Sequence, residues 1–165
     1  MTTEDEYVFF WRVNEQYGFL SQWFYSPFVA DGITFVTAEQ YMMYRKAVLF
    51  SDSETALKIA NTPLLHPSEH KRMGRTVRNF NENVWNNQSM IIVAGVNYFK
   101  FMQSDTLRNL LTSTGKKTLV EASPNDRIWG IGFDSMNAIV NVNSWGSNRL
   151  GRALMMVRDE ITNLP

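Results

Sequence analysis

Glu39 and Lys46 are the two residues whose types and spacing most directly suggest chemistry. In a helix through Thr37–Ala47, positions seven apart point within roughly 20° of each other and lie about 10 Å apart along the axis. Two long side chains at these positions can therefore converge on one small ligand. A carboxylic acid and an amine that meet in a pocket are suited to acid–base catalysis or to a covalent intermediate.

The surroundings of this pair decide between that interpretation and a simpler one. Glu and Lys on one helix face are most often solvated charges. Apart from Glu39, Arg45 and Lys46, however, the helix is built mostly of Tyr, Met, Ala, Val and Leu, which predicts burial on most sides. A charge in such surroundings has a shifted pKa and needs a functional reason to be there. Thr37 is the predicted N-cap, so Glu39 lies in the first turn, where the helix dipole favours its charged form.

Composition bounds the function classes. The chain has 165 residues, of which 44% are hydrophobic, and this predicts one globular domain with a single core. Sixteen basic and sixteen acidic residues give no net charge, which excludes a general electrostatic attraction to duplex DNA or to anionic membranes. With no cysteine and only two histidines, we expect no metal site and no cofactor. The polar, acidic start of the chain and the lack of a long apolar run predict a cytoplasmic protein without a membrane contact.

Periodicity and turn residues predict a predominantly helical α+β fold with a few short, antiparallel strands. Extended segments are predicted at Tyr7–Trp11, Pro27–Ala30, Ile33–Val36 and Thr118–Glu121. Helices are predicted from Thr37, from Ser51 or Ser53 to Asn61, and at Pro67–Val77, Asn81–Phe101, Asp105–Leu111 and Asn148–Ile161, with a loop-rich region between residues 123 and 147.

Five motifs follow one another along the chain in a distinctive order. They are Gly18–Ser21, Thr37–Tyr41, Lys71–Arg75, Asp126–Gly132 and Asn148–Met155. This series resembles the NADAR domain family, also called YbiA-like, in both order and approximate spacing. The resemblance runs from about Phe9 to Ile161 and so covers nearly the whole chain.

The resemblance implies hydrolysis of an N-glycosidic bond between ribose C1 and an exocyclic amine. Members of the family remove ADP-ribose from the amino group of guanine, and some cleave phosphoribosylamino-pyrimidine intermediates of riboflavin synthesis. The family's glutamate falls on Glu39, its helix lysine on Lys46 and its two tryptophans on Trp85 and Trp129. These four residues are therefore predicted to be catalytic, with Asp134 as a fifth candidate.

Two mechanisms are compatible with these residues. In one, Glu39 is the general acid or base and an unprotonated Lys46 attacks C1 to form a Schiff base that water then releases. In the other, water displaces the amine directly and a second carboxylate shares the work, as in most glycosidases. Asp126 and Asp134 are the candidates for that carboxylate. For Asp126, a role in the local loop is the competing interpretation.

Substrate binding is predicted from the motif residues and from basic groups. A lone tryptophan is usually core filler, but at a motif position the indole of Trp129 suits stacking on a nucleobase. We expect phosphate at Arg75, which lies in a basic row with Lys71 and Arg78, and at Arg149. The complete predicted binding set is Ser21, Tyr41, Arg75, Asp126, Gly130, Asn148 and Arg149.

Three positions depart from the riboflavin-linked pattern of the family: Phe35, Gln40 and Ile131. Ile131 stands where an aspartate follows Trp-Gly, which removes a polar contact near the sugar. We therefore expect ADP-ribosylated guanine, in DNA, RNA or a nucleotide, and a connection through that substrate to a cognate ADP-ribosyltransferase toxin. The phosphoribosylamino-pyrimidine and a non-catalytic ADP-ribose-binding module are the alternatives.

Overall fold

Helices joined by short connections account for most of the computed structural model, which describes residues 3–63 and 66–165. The strands are β1 (Tyr7–Phe10), β2 (Phe28–Ala30), β3 (Ile33–Phe35) and β4 (Thr118–Glu121). The helices are α1 (Ala38–Leu49), α2 (Ser53–Asn61), α3 (Pro67–Gly74), α4 (Glu82–Met102), α5 (Asp105–Ser113), α6 (Ser135–Ala138) and α7 (Arg149–Thr162), with 3-10 turns at Thr3–Glu6, Gly18–Leu20 and Ile139–Ser144. The predicted class, helical α+β with few short strands, is confirmed.

The chain folds into two compact units. One is Gln22–Gln103, and the other is made by the chain up to Ser21 and from Ser104 onward. Within the described residues, no helix combines the length and apolar character that a bilayer span requires.

In the unit Gln22–Gln103, α1 packs against α2, α3 and α4. An aromatic core forms where the hairpin of β2 and β3 meets α1 and α4, and it contains Phe28, Phe35, Tyr41 and Val96. The hairpin turns at Asp31 and Gly32, whose φ angles of 54° and 75° are the left-handed values that a two-residue turn requires. The predicted turn at this dipeptide is confirmed.

The start of α1 is fixed by four hydrogen bonds. The Thr37 hydroxyl accepts from the Gln40 amide at 3.1 Å, which confirms the predicted N-cap. The Glu39 amide donates to the Gln22 carbonyl at 3.0 Å. The side chain of Gln40 accepts from the Val36 amide at 2.9 Å and donates to the Ile59 carbonyl at 3.0 Å. Gln40 thus ties α1 to β3 and α2, and the first turn of α1 cannot rotate without breaking these bonds.

The third helix is shorter than predicted. It ends at Gly74 rather than Val77, because Arg75 takes the C-cap position and the Thr76 hydroxyl donates to the Met73 carbonyl at 2.7 Å. A Cβ at Gly74 would lie 2.0 Å from the Met43 sulfur, so glycine permits the close approach of α3 to α1. Arg78 therefore lies beyond the helix, and the prediction that it continues a basic row on α3 is wrong.

Asp52 connects the start of α2 to the chain after α3. Its carboxylate accepts from the Thr55 amide at 3.2 Å as the N-cap of α2. It also accepts from the Arg78 amide at 3.0 Å and from the Arg78 guanidinium at 2.8 Å. These hydrogen bonds from Arg78 hold the pKa of Asp52 well below its usual range.

In the other unit, β1 and β4 pair in parallel, from Tyr7 opposite Thr118 to Phe10 opposite Glu121. The prediction of antiparallel strands is correct for β2 and β3 and wrong for this pair. The long stretch of chain between β1 and β4 permits a parallel pair, which a short hairpin loop does not. Helix α7 packs against β4, and Arg158 of α7 donates to the Thr114 hydroxyl and the Lys117 carbonyl at 2.9 and 2.8 Å.

The region predicted to be loop-rich contains two further helical segments. Helix α6 is capped by Asp134, whose carboxylate accepts from the Asn137 amide at 2.9 Å, and the 3-10 turn Ile139–Ser144 follows it. The indole of Trp145 closes this segment by donating to the Ala138 carbonyl at 2.8 Å. A helix of four residues is too short to show apolar periodicity, which is why the pattern did not reveal it.

Asp52→Asn should lower the melting temperature at neutral pH, because the amide loses charge-assisted hydrogen bonds to Arg78 and weakens the cap of α2. The folded-state pKa of Asp52 lies below its unfolded value, so its contribution is complete above the ordinary carboxyl pKa and is lost progressively as the pH falls from there through the lower, folded value. Thermal unfolding of the wild type and of Asp52→Asn, from neutral to strongly acid pH, should show that the difference in melting temperature narrows only below the ordinary carboxyl pKa. A difference that grew towards acid pH would contradict this account.

Candidate active site

Lys46 lies half-buried on α1 beneath two aromatic rings. Its ammonium nitrogen is 4.6 Å from the centroid of Phe80 and 5.7 Å from that of Trp85. Trp85 is in the first turn of α4, and its amide donates to the Asn81 carbonyl at 3.0 Å. Phe80 is held in turn by an edge contact with Phe50, with centroids 5.4 Å apart. The structure thus brings together Lys46 and Trp85, two of the predicted catalytic residues.

Glu39 is only 7% exposed and lies two turns before Lys46 on the same helix. Met42 and Met43, between them in the sequence, are also buried. The pair therefore flanks an apolar stripe, as the spacing predicts. Glu39 is near enough to Lys46 to act on its pKa through space.

Three causes set the protonation of Lys46. Burial is the largest and lowers its pKa, the charge of Glu39 raises it, and the charge of Arg75 lowers it. The net result is a pKa below the usual lysine value. A larger fraction of Lys46 is therefore present as the neutral amine, which is the nucleophilic form, while the neighbouring carboxyl group can transfer protons.

Trp129 and Arg149 form a second group of predicted residues, in the unit that contains β1 and β4. The guanidinium carbon of Arg149 lies 5.0 Å from the centroid of the Trp129 indole. Both side chains are partly exposed. An aromatic face and a guanidinium group therefore lie side by side.

Backbone hydrogen bonds hold the segment that contains Trp129 beside the segment that contains Arg149. The amides of Asn148, Arg149 and Leu150 donate to the carbonyls of Gly130, Ile128 and Trp129 at 3.1 Å each. These three amides are therefore engaged within the protein, and phosphate binding at Arg149 stays a prediction. What remains for phosphate is the guanidinium of Arg149.

The side chain of Asn148 is also occupied. It accepts from the Glu121 amide at 3.0 Å and donates to the Leu119 carbonyl at 2.9 Å, which fixes the start of α7 against β4. Asn148 has a left-handed φ of 49°, a conformation that asparagine tolerates better than most residues. Gly130 is buried beside the Glu121 carbonyl. Substrate contacts by Asn148 and Gly130 stay predictions.

The two candidate second carboxylates both serve the backbone. Asp126 accepts from the amides of Ile128 and Trp129 at 2.9 Å each, which agrees with the loop role weighed for it. Asp134 caps α6 and borders a small cleft together with Trp11 and Glu15. A catalytic role for either carboxylate stays a prediction.

Ser21 and Tyr41 occupy buried positions. Ser21 follows the 3-10 turn Gly18–Leu20, and its amide donates to the Gly18 carbonyl at 3.0 Å. The Tyr41 ring packs in the aromatic core, 5.0 Å from Phe35 and 5.9 Å from Phe99 between centroids. Arg75, by contrast, is exposed at the end of α3. Substrate binding by these three residues stays a prediction.

Sequence reasoning missed Phe80, although its ring lies nearer to the Lys46 ammonium than the ring of Trp85 does. Phe80 follows α3 in irregular chain and belongs to no recognised motif. Two residues before Phe80, Arg78 forms a salt bridge of 2.8 Å with Asp52, the capping residue of α2. Nothing in the sequence shows that these two residues meet.

The described residues, 3–63 and 66–165, contain no group of three or more His, Asp or Glu side chains placed to hold a metal ion. His66 caps α3 and accepts from the Ser68 amide at 3.2 Å. His70 is buried on α3, where burial lowers its pKa. His66 thus acts as a helix cap, and His70 is part of the buried face of α3.

Comparison with known proteins places this geometry in context. A family model described as the NADAR domain matches residues 9–162. The chain is 41% identical over 166 residues to N-glycosidase R617 of Acanthamoeba polyphaga mimivirus, an alignment that covers 94% of this chain and 96% of that protein. It is 30% identical over 161 residues to N-glycosidase Npun_R5314 of Nostoc punctiforme, covering 95% and 94%. The NMR structure of the E. coli protein YbiA matches with a TM-score of 0.78 and 29% identity over 96% of this chain and 86% of that one.

Replacing Arg75 and replacing Glu39 should move the pKa of Lys46 in opposite directions. Arg75→Gln removes a like charge and should raise it, whereas Glu39→Gln removes an opposite charge and should lower it. NMR titration of 13C-methylated lysines, with the Lys46 signal assigned through Lys46→Arg, measures both shifts. Shifts of the same sign in the two variants would contradict the arrangement.

Gly146→Ala should destabilise the fold, because the added Cβ would lie 2.2 Å from the Arg127 carbonyl oxygen. To avoid this clash, the chain segment that contains Trp129 would have to move away from the one that contains Arg149. We expect a loss of about 1 to 3 kcal/mol in the free energy of unfolding by urea. Gly95→Ala is the matched control, since its Cβ meets nothing within 4 Å in α4 and should stabilise by about 0.5 to 1 kcal/mol. Equal effects of the two substitutions would refute the packing argument.

Proposed function

The chain belongs to the NADAR domain family of N-glycosidases, and we propose that the bond it hydrolyses joins C1 of ADP-ribose to the exocyclic amine of guanine. The observation that carries this proposal is the pair on α1. Lys46 is a half-buried amine with a lowered pKa under two aromatic rings, and Glu39 is a nearly buried carboxyl group close to it.

An exocyclic amine is a poor leaving group until it is protonated. A carboxylic acid beside the bond can supply that proton. Glu39 is the acidic residue whose charge acts on the pKa of Lys46. The nucleophile must be neutral to attack C1, and the lowered pKa of Lys46 provides this form. The site therefore combines an amine shifted towards its neutral form with a carboxyl group that can exchange a proton.

We propose the covalent route as follows. The ribose ring opens by breaking the C1–O4 bond, with a proton delivered to O4, and leaves an imine between C1 and the guanine amine. The Lys46 nitrogen adds to C1, the guanine amine takes a proton from Glu39 and leaves with its electron pair, and a Schiff base to Lys46 remains. Water adds to that Schiff base, Lys46 leaves, and the released ADP-ribose closes its ring. The net reaction consumes one water molecule.

Trp129 and Arg149, in the other unit, offer groups of the kind that bind a base and a phosphate. The Trp129 indole offers a stacking face for a base, and Arg149 offers a permanent charge for a phosphate. Ile131, which stands where the riboflavin-linked pattern has an aspartate, is fully buried in the core of its unit and offers the substrate no polar contact. This favours ADP-ribosylated guanine over the phosphoribosylamino-pyrimidine. An ADP-ribosyltransferase that modifies guanine must supply such a substrate.

The test is release of ADP-ribose from a guanine-ADP-ribosylated oligonucleotide. Glu39→Gln should lower kcat by about 10²- to 10⁴-fold, the usual range for loss of a general acid or base. Lys46→Met keeps the apolar stem and removes the amine, so it should also abolish turnover. Lys58→Met makes the same change at an exposed lysine of α2 and should leave the rate unchanged.

Each other result has a clear meaning. Turnover of the phosphoribosylamino-pyrimidine alone would replace the guanine substrate with the metabolic one. Tight ADP-ribose binding without turnover of either compound would make the chain a binding module.

Borohydride trapping separates the two mechanisms. If Lys46 forms a Schiff base, reduction during turnover should attach the sugar covalently to the wild type and not to Lys46→Met. Mass spectrometry of the peptide that contains Lys46 detects the adduct. An active enzyme that yields no adduct would favour direct attack by water.

A further inference from the structure

Trp23 lies in a cationic environment that the proposed reaction does not use. The ammonium of Lys71 lies 6.0 Å from the centroid of the Trp23 indole, and the ring of His66 meets the indole edge-on at 5.4 Å. Trp23 is nevertheless partly exposed, and Lys71 is exposed. An indole left partly open between a lysine and a histidine is unlike the apolar packing of a core tryptophan.

This group is connected to the candidate active site through α3. Lys71 and Arg75 are four residues apart, so they lie on one face of the helix about one turn from each other. Arg75 is close enough to Lys46 to act on its charge. A row of two cations, Arg75 and Lys71, therefore leads from Lys46 to the Trp23 indole.

We propose that Trp23, His66, Lys71 and Arg75 form a nucleotide platform that binds the strand next to the modified guanine when that guanine is part of a single-stranded nucleic acid. This inference rests on the proposed function. The indole of Trp23 stacks on a neighbouring base, and Lys71 and Arg75 contact the phosphates between that base and the guanine.

Two observations favour a single strand over a duplex. Stacking on an indole needs an unpaired base with an exposed face, which a duplex does not offer within the strand. The chain has no net charge, so it has no general electrostatic attraction to a duplex, whereas a short local row of cations is sufficient for a few phosphates.

The experiment compares two substrates, ADP-ribosylated guanine as a mononucleotide and within a short single-stranded oligonucleotide. Trp23→Leu removes the stacking face and Lys71→Glu reverses a phosphate contact. Trp23→Leu should raise KM for the oligonucleotide by about 5- to 100-fold, the effect of losing one stacked base. Lys71→Glu should also raise this KM, and both variants should leave KM for the mononucleotide unchanged. Lys116→Glu makes the same change in net charge at another exposed lysine and should have no effect.

Fluorescence anisotropy with an unmodified labelled oligonucleotide gives a readout that needs no turnover. The wild type should bind the single strand more tightly than a duplex of the same sequence, and both platform variants should weaken this binding in proportion to their effect on KM. Because Lys71 is a surface residue, Lys71→Glu tests the platform even if Trp23→Leu does not fold.

The outcomes separate the two proposals. Failure of the wild type to cleave either substrate would overturn the proposed function. Cleavage of both substrates with oligonucleotide binding and KM unaffected by the platform variants would overturn the platform alone. An equal rise in KM for both substrates would also overturn it, because Trp23 would then contact ADP-ribose itself.

Discussion

The candidate site depends on keeping a carboxyl group and an amine on a helix that is buried on most sides. Removing charges from water is costly, and packing alone cannot offset that cost. The fold offsets part of it at the N-terminus of α1, where the Thr37 cap and the Gln22 carbonyl fix the first turn and the helix dipole favours a negative Glu39. The unfavourable solvation that remains at Lys46 lowers its pKa. The burial that costs stability therefore also produces the neutral amine.

The aromatic rings act differently on Lys46 and on Arg149. A ring face attracts a cation by about 0.5 to 2 kcal/mol, depending on how far the pair is shielded from water. For Lys46 this attraction favours the ammonium and works against burial, yet burial is the larger effect and the pKa is lowered. For Arg149 there is no such competition, because guanidinium keeps its proton in proteins. The contact with Trp129 then serves only to orient a fixed charge.

Local features of the site could be predicted from the sequence, whereas features that join distant segments could not. The Thr37 cap, the face shared by Glu39 and Lys46 and the turn at Asp31 and Gly32 follow from residues within one helix or hairpin. The end of α3, the position of Phe80 and the parallel pairing of β1 with β4 depend on partners far along the chain. Phe80 covers Lys46 because Arg78 bonds to Asp52, 26 positions earlier, and no periodic pattern encodes that pair.

Comparison with a second buried lysine shows that a low pKa does not by itself identify the nucleophile. Lys100 is only 1% exposed, its ammonium lies 5.6 and 5.1 Å from the centroids of Phe24 and Phe101, and burial lowers its pKa to about 7. By protonation alone it would be the better amine. A nucleophile must also reach the carbon it attacks and have an acid nearby for the leaving group. Lys46 is half-exposed and interacts with Glu39, so access and proton supply, rather than the lowest pKa, favour it as the catalytic residue.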